Sequence, residues 1–236
     1  MKPEMTTGRT VGILLLLHLI VGLMAPFILI DWIRQPAGLF ASAAGNAGAL
    51  RTSIMLLFVG SAIPVAIASD AWPVLRRYSS VMALWLFAFA VAGFTLQAVD
   101  NGALLSILSL SQEYAKSEAA KLDASQSIGI VISAFRKWTH FTYLLVAVSW
   151  ITVLCMTLYR FRLAPRALAL VGLITSVLQI YGVGLRVIYG YAPEMRLAIP
   201  LAPAYLVLAV WLIVKGFDES QPALPAAAYD KSVAMT

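Results

Sequence analysis

Residues 80–99 read SVMALWLFAFAVAGFTLQAV and are followed at once by Asp100. Not one of those twenty positions carries a charge. A helix rises about 1.5 Å per residue and the hydrocarbon core of a bilayer is about 30 Å thick, so about 20 apolar residues cross it. Five more runs of similar length flank this one, at 11–30, 51–69, 139–158, 167–189 and 197–214. The fold class that follows is all-α: a polytopic membrane helix bundle with six transmembrane helices and an amphipathic helical segment between helices three and four. Residues 1–216 form the transmembrane domain, and 217–236, rich in Ala and Pro, read as a mobile cytoplasmic tail.

Composition agrees. Of 236 residues, 61% are hydrophobic and 12% charged, against about 25% charged in soluble domains. The net charge of +6 is spread along the chain with no basic block, which gives no support to a nucleic-acid partner. The basic excess is better read as the charge asymmetry of membrane loops. Cys155 is the only cysteine, which excludes an internal disulfide and a CxxC site. Lys2 and Arg9 before the first run, with Ala41-Ser42-Ala43 after it, resemble a signal peptide. The spacing is too long for one, so 11–30 is read as a retained helix.

The connections are short except one. Asp70-Ala-Trp-Pro73 followed by Arg76-Arg77 predicts a turn into helix three. In 100–137, Leu104, Ile107, Leu108, Ala115, Ala119 and Leu122 recur at helical spacing, the pattern of a surface-lying helix. Ile128, Val131, Ile132, Phe135 and Trp138 then run without a breaker into helix four, which is expected to begin near 127 and project beyond the bilayer. The turns that share a face with the N-terminus, around Arg76-Arg77 and Arg160-Phe-Arg-Leu-Ala-Pro-Arg166, are tight and basic. The expected topology is therefore multi-pass in a bacterial cytoplasmic membrane with both termini cytoplasmic.

Polar groups gather at the opposite mouth, where helices one, three and five end and two, four and six begin. Asp31, Gln97, Asp100, Arg136, His140 and Arg186 are the candidate ligand-binding residues there. A histidine beside carboxylates titrates near neutral pH, and ionisable groups at membrane depth are functional candidates. Pro26, Pro64, Pro200 and Pro203 interrupt helices, most of them near the same mouth. No spacing places two metal ligands on one helix, and His18 and His140 differ in depth by most of the bilayer, so neither a metal nor a haem is expected and no cofactor is assigned. His18, deep in helix one, is expected to be a structural histidine with a hydrogen-bond partner. Membrane lipid is the expected partner, together with a small lipophilic or anionic ligand, and there is room for a homo-oligomer.

Asn46 followed by Arg51 and the apolar second helix, LYRFRLAPRALALVGLITSVLQIYG at 158–182 and VWLIVKGF at 210–217 resemble the bacterial family called domain of unknown function 4386. That resemblance covers nearly the whole chain and implies a six-helix membrane bundle; it implies no activity, cofactor or catalytic residue. The functional expectation from the residues is binding or transport of a lipophilic or small anionic ligand through a polar vestibule at the non-cytoplasmic face. A lipid-modifying enzyme using Asp31, Asp100 and His140, or a structural or sensory subunit, are the alternatives, so whether the chain is an enzyme stays open.

Overall fold

The structure, a computed structural model, describes residues 3–33, 42–116, 122–192 and 194–218. Among the described residues, six helices are long and apolar enough to cross a membrane. They lie in α1 (Pro3–Ile33), α2 (Ala47–Tyr78), α3 (Ser80–Tyr114), α4 (Leu122–Phe161), α5 (Arg166–Tyr189) and α6 (Leu201–Lys215), the last span reaching its length, Arg196–Lys215, only with the 3-10 turn before α6. Short 3-10 turns at Ala44–Asn46 and Met195–Ala198 lead into α2 and α6.

The surface identifies the solvent. Ile13, Leu17, Ile20 and Met24 line one side of α1 and are exposed, as are Val171, Ile174 and Val177 on α5 and Val207, Val210 and Val214 on α6. Buried positions include Ser53, Ser61, Gln97, Asp100, Asn101, Thr157, Thr175 and Ser176. Apolar outside with polar inside is stable only where the surroundings are themselves apolar. The buried hydroxyls close back on their own helices. Thr157 Oγ1 donates to the Val153 carbonyl at 2.7 Å, and Thr175 Oγ1 to the Val171 carbonyl at 2.8 Å. Thr152 also donates to Ser176 Oγ at 3.0 Å, joining α4 to α5.

Each helix packs on its neighbours in sequence, and α6 returns to pack on α1, so the main contacts form a closed ring. The closure depends on Gly8 and Gly12, spaced as Gly-x-x-x-Gly on α1. A Cβ on Gly12 would stand 2.7 Å from the Ile213 backbone nitrogen, and one on Gly8 would fall onto the backbone of Gly216 and Phe217. Only glycine lets the two backbones approach so closely. The core inside the ring is built from Leu15, Ile67, Leu86, Trp150, Leu154, Leu208 and their neighbours.

Two connections differ from expectation. The turn before α3 is a single residue, Ser79, not the stretch from Asp70: α2 continues through Pro73 to Tyr78. Ser79 is extended, and its Oγ accepts from the Met82 N–H at 3.2 Å, the arrangement of an N-cap. Among the described residues of 100–137 the helical character is present as the ends of α3 and α4. The apolar stripe found its partner in protein: Leu104, Ile107 and Leu108 pack with Ala43, Leu50 and Ile54 in a second small core, and Ile132 closes it from α4. Ala44 N–H donates to Ser111 Oγ at 3.0 Å and ties the turn before α2 to α3. With 35 residues α3 is about 52 Å long, well beyond the hydrocarbon thickness.

Candidate functional site

Between the two cores lies a polar cluster on the α3–α4 pair. On α3, Gln97, Asp100 and Asn101 are three and four residues apart and share one face. On α4, Arg136 and His140 are four apart and meet them. Antiparallel packing of α3 and α4 brings the Arg136 Nε to 3.5 Å from Asp100 Oδ1 and the His140 Nδ1 to 3.6 Å from Asp100 Oδ2. Gln97 Nε2 donates to Asp100 Oδ2 at 3.4 Å and to Asn101 Oδ1 at 2.9 Å. Asn101 Nδ2 in turn donates to the Ile54 carbonyl at 3.4 Å, so α2 is drawn into the same network.

The cluster has a floor and a rim. Gln97 and Asp100 are fully buried, whereas the side chains of Arg136 and His140 are 12% and 34% exposed. A buried carboxylate needs a counter-ion, and Arg136 supplies it. The geometry is loose, however. Gln97 Oε1, Asp100 Oδ1, Arg136 Nε and His140 Nδ1 are all buried atoms with no hydrogen-bond partner. Four such atoms gathered at one carboxylate, two of them acceptors and two on cationic or protonatable side chains, call for a further polar group among them. The Tyr143 ring, centred 6.2 Å from that of His140, extends the cluster one turn deeper along α4.

Of the residues expected here, the structure brings Gln97, Asp100, Arg136 and His140 together. Arg186 lies at the end of α5. Its Nη1 donates to the carbonyls of Gly190 at 3.1 Å and Tyr191 at 3.4 Å, and its guanidinium carbon is 5.9 Å from the centre of the Trp138 ring. Among the described residues no hydrogen bond or ion pair joins it to Asp100, although its Nε is buried without a partner. Asp31 falls in the last turns of α1, where side chains lie outside the described residues. Asn101 was not among the expected residues. Its signal was its place beside Asp100 and four residues after Gln97, which puts three polar groups on one helix face.

A second polar group occupies the middle of the ring. His18 Nδ1 and Tyr205 Oη are 2.9 Å apart, joining α1 to α6. The Trp150 ring stands edge-on to His18 at 6.1 Å, and its buried Nε1 has no partner. His18 thus has the hydrogen bond expected of a structural histidine. Among the described residues no group of three ligating side chains converges as a metal site.

The family model described as "Domain of unknown function (DUF4386)" matches residues 10–216. No curated protein and no solved structure matches the chain.

Proposed function

The chain belongs to the DUF4386 family, and we propose that it binds a lipophilic ligand with a small polar or anionic head at the polar cluster around Asp100. The observation behind this reading is the set of four buried polar atoms at and around Asp100 that make no hydrogen bond, beneath a rim that is partly open. An anionic head entering there meets the Arg136 guanidinium and the His140 imidazole, a cation when protonated. Asp100 acts from behind as a positioning residue, holding both side chains in one orientation. Gln97 offers its free carbonyl oxygen, and Arg186 stands on the approach over Trp138. Asp31, at the end of α1, belongs to the same mouth. The ligand's apolar tail is solvated by the Phe141 and Trp138 rings and by lipid. We place the chain in the bacterial cytoplasmic membrane with its termini inside, because the Arg76-Arg77 and Arg160–Arg166 turns share the terminal face.

Binding of a fluorescent fatty acid to the purified protein, compared with the alcohol of the same chain length, tests the reading. Saturable binding of the acid, weakened about tenfold or more in Arg136→Gln, is expected from the loss of one charge-assisted pair. Equal binding of acid and alcohol, or undiminished binding by a folded Arg136→Gln/His140→Ala double variant, would remove this site from ligand recognition.

A further inference from the structure

At the other face of the bundle, about 37 Å along α4 from Arg136, the chain forms a second concavity. Here α4 ends in a tight turn: the Leu163 N–H donates to the Leu158 carbonyl at 3.1 Å, and Arg162 has φ of 57°. This is the position of a helix C-terminus that glycine usually fills, because a Cβ in the left-handed region crowds the carbonyl oxygen. An arginine here keeps its side chain at a cost in backbone strain. The chain then enters α5 through Pro165, and the Asp218 N–H, just beyond α6, donates to the Leu163 carbonyl at 2.9 Å. The end of α6 is thereby held against the turn. Between them opens a concavity of about 410 Å³ lined by Arg162, Pro165, Arg166, Trp211 and Asp218.

Both arginines are exposed, and neither belongs to the ion pairs at Asp100 and Glu194. Arg166 is steadied by the Tyr159 ring, 5.7 Å from its guanidinium carbon. We propose that this concavity binds the phosphate of an anionic phospholipid headgroup. Two guanidinium forks that line one concavity can match phosphate oxygens in pairs, which a point charge does not do. Trp211 and Pro165 supply an apolar wall where α4, α5 and α6 leave the apolar zone, the level at which headgroups lie and indole rings are favoured. Arg76, Arg77 and Arg160, on the same face but not lining the concavity, add attraction for anionic lipid without selecting a position. Inorganic phosphate shares this chemistry and lacks the apolar part that Trp211 and Pro165 would contact. This site is independent of the one at Asp100.

The test is the thermal unfolding of the purified full chain in a neutral detergent, titrated with phosphatidylglycerol, phosphatidylcholine or inorganic phosphate. The proposal expects phosphatidylglycerol to raise the midpoint saturably and phosphatidylcholine to leave it unchanged. Arg162→Gln/Arg166→Gln should weaken the apparent affinity about tenfold or more, the loss of at least one charge-assisted bond. Arg76→Gln/Arg77→Gln removes the same charge from the same face and should keep the wild-type response. Arg162→Gly, which relieves the left-handed strain, separates folding from binding: its midpoint without lipid should hold while its response to phosphatidylglycerol falls. An equal loss in the Arg76/Arg77 variant would reduce the effect to diffuse attraction and overturn the site. So would an undiminished response in the Arg162/Arg166 variant, and a response to inorganic phosphate matching that to the lipid would overturn the assignment to a headgroup.

Discussion

Asp100 is fully buried, and its charge is balanced by Arg136 at 3.5 Å. Removing one partner of a buried pair strands the other, at about 3–5 kcal/mol. Asp100→Asn keeps the shape and leaves Arg136 uncompensated, so its thermal midpoint in detergent should fall steeply, by an amount equivalent to about 3 kcal/mol. Asp100→Asn combined with Arg136→Gln should recover much of that loss, because neither charge is then stranded; a double variant no better than the single one would show that the pair is not what holds α3 to α4. Arg162→Gly should go the other way and leave stability equal or raised by about 1 kcal/mol, read by the same melting curve without added lipid. The residue scale is also where sequence told least about the site. Gln97, Asp100, Arg136 and His140 stand out because charge and polarity are rare at the edge of an apolar run. Asn101 has a weaker signal, its spacing from Gln97, which counts only once α3 is seen to run unbroken through Asp100 to Tyr114. The contribution of Arg162 depends on a backbone angle, which no residue pattern announces.

Helix existence was legible because membrane helices are selected by length and apolarity alone, and the six runs have both. Helix ends were less so. Pro73 and the Arg76-Arg77 pair look like punctuation, yet a proline costs a helix only one backbone bond, and α2 absorbs both Pro64 and Pro73. The stop is set by Ser79, whose hydroxyl caps α3 while its extended backbone reverses the chain. Ser79→Ala should therefore cost about 1 kcal/mol, measurable as a lower unfolding midpoint with the helical content unchanged. In 104–108 the helical period was correct and its partner was not: an amphipathic stripe looks the same whether it faces lipid headgroups or another helix. Gly8 and Gly12 were legible in principle as Gly-x-x-x-Gly. Gly12→Leu should separate α6 from α1 and destabilise the bundle by about 1–3 kcal/mol, with Gly22→Leu, in open space, as the neutral comparison.

At the scale of the whole molecule, the bundle has two unequal ends. At one end α2 and α3, closed by α4, carry a small second core beyond the polar cluster; at the other, short basic turns close the ring tightly. A cysteine placed at Ile128, which is 51% exposed on α4 beyond the cluster, in a Cys155→Ser background should react with a membrane-impermeant maleimide. One at Ile174, 51% exposed on the apolar flank of α5, should not. The side from which the Ile128 site labels in intact cells also decides which way the chain is threaded; labelling from outside agrees with the proposed orientation, and labelling only after lysis reverses it.

The ring also orders events in time. His18 and Tyr205 are separated by 187 residues, and at about 5–20 residues per second about 10–40 s pass between the synthesis of one and of the other. For that interval α1 is in the bilayer with an imidazole that lacks its partner and a glycine groove that lacks α6. A chain stopped before α6 therefore presents an unfilled groove and an unsatisfied histidine together. Completion of the last helix is the event that hides both, which makes α1 the natural place for a chaperone or protease to distinguish unfinished chains from finished ones.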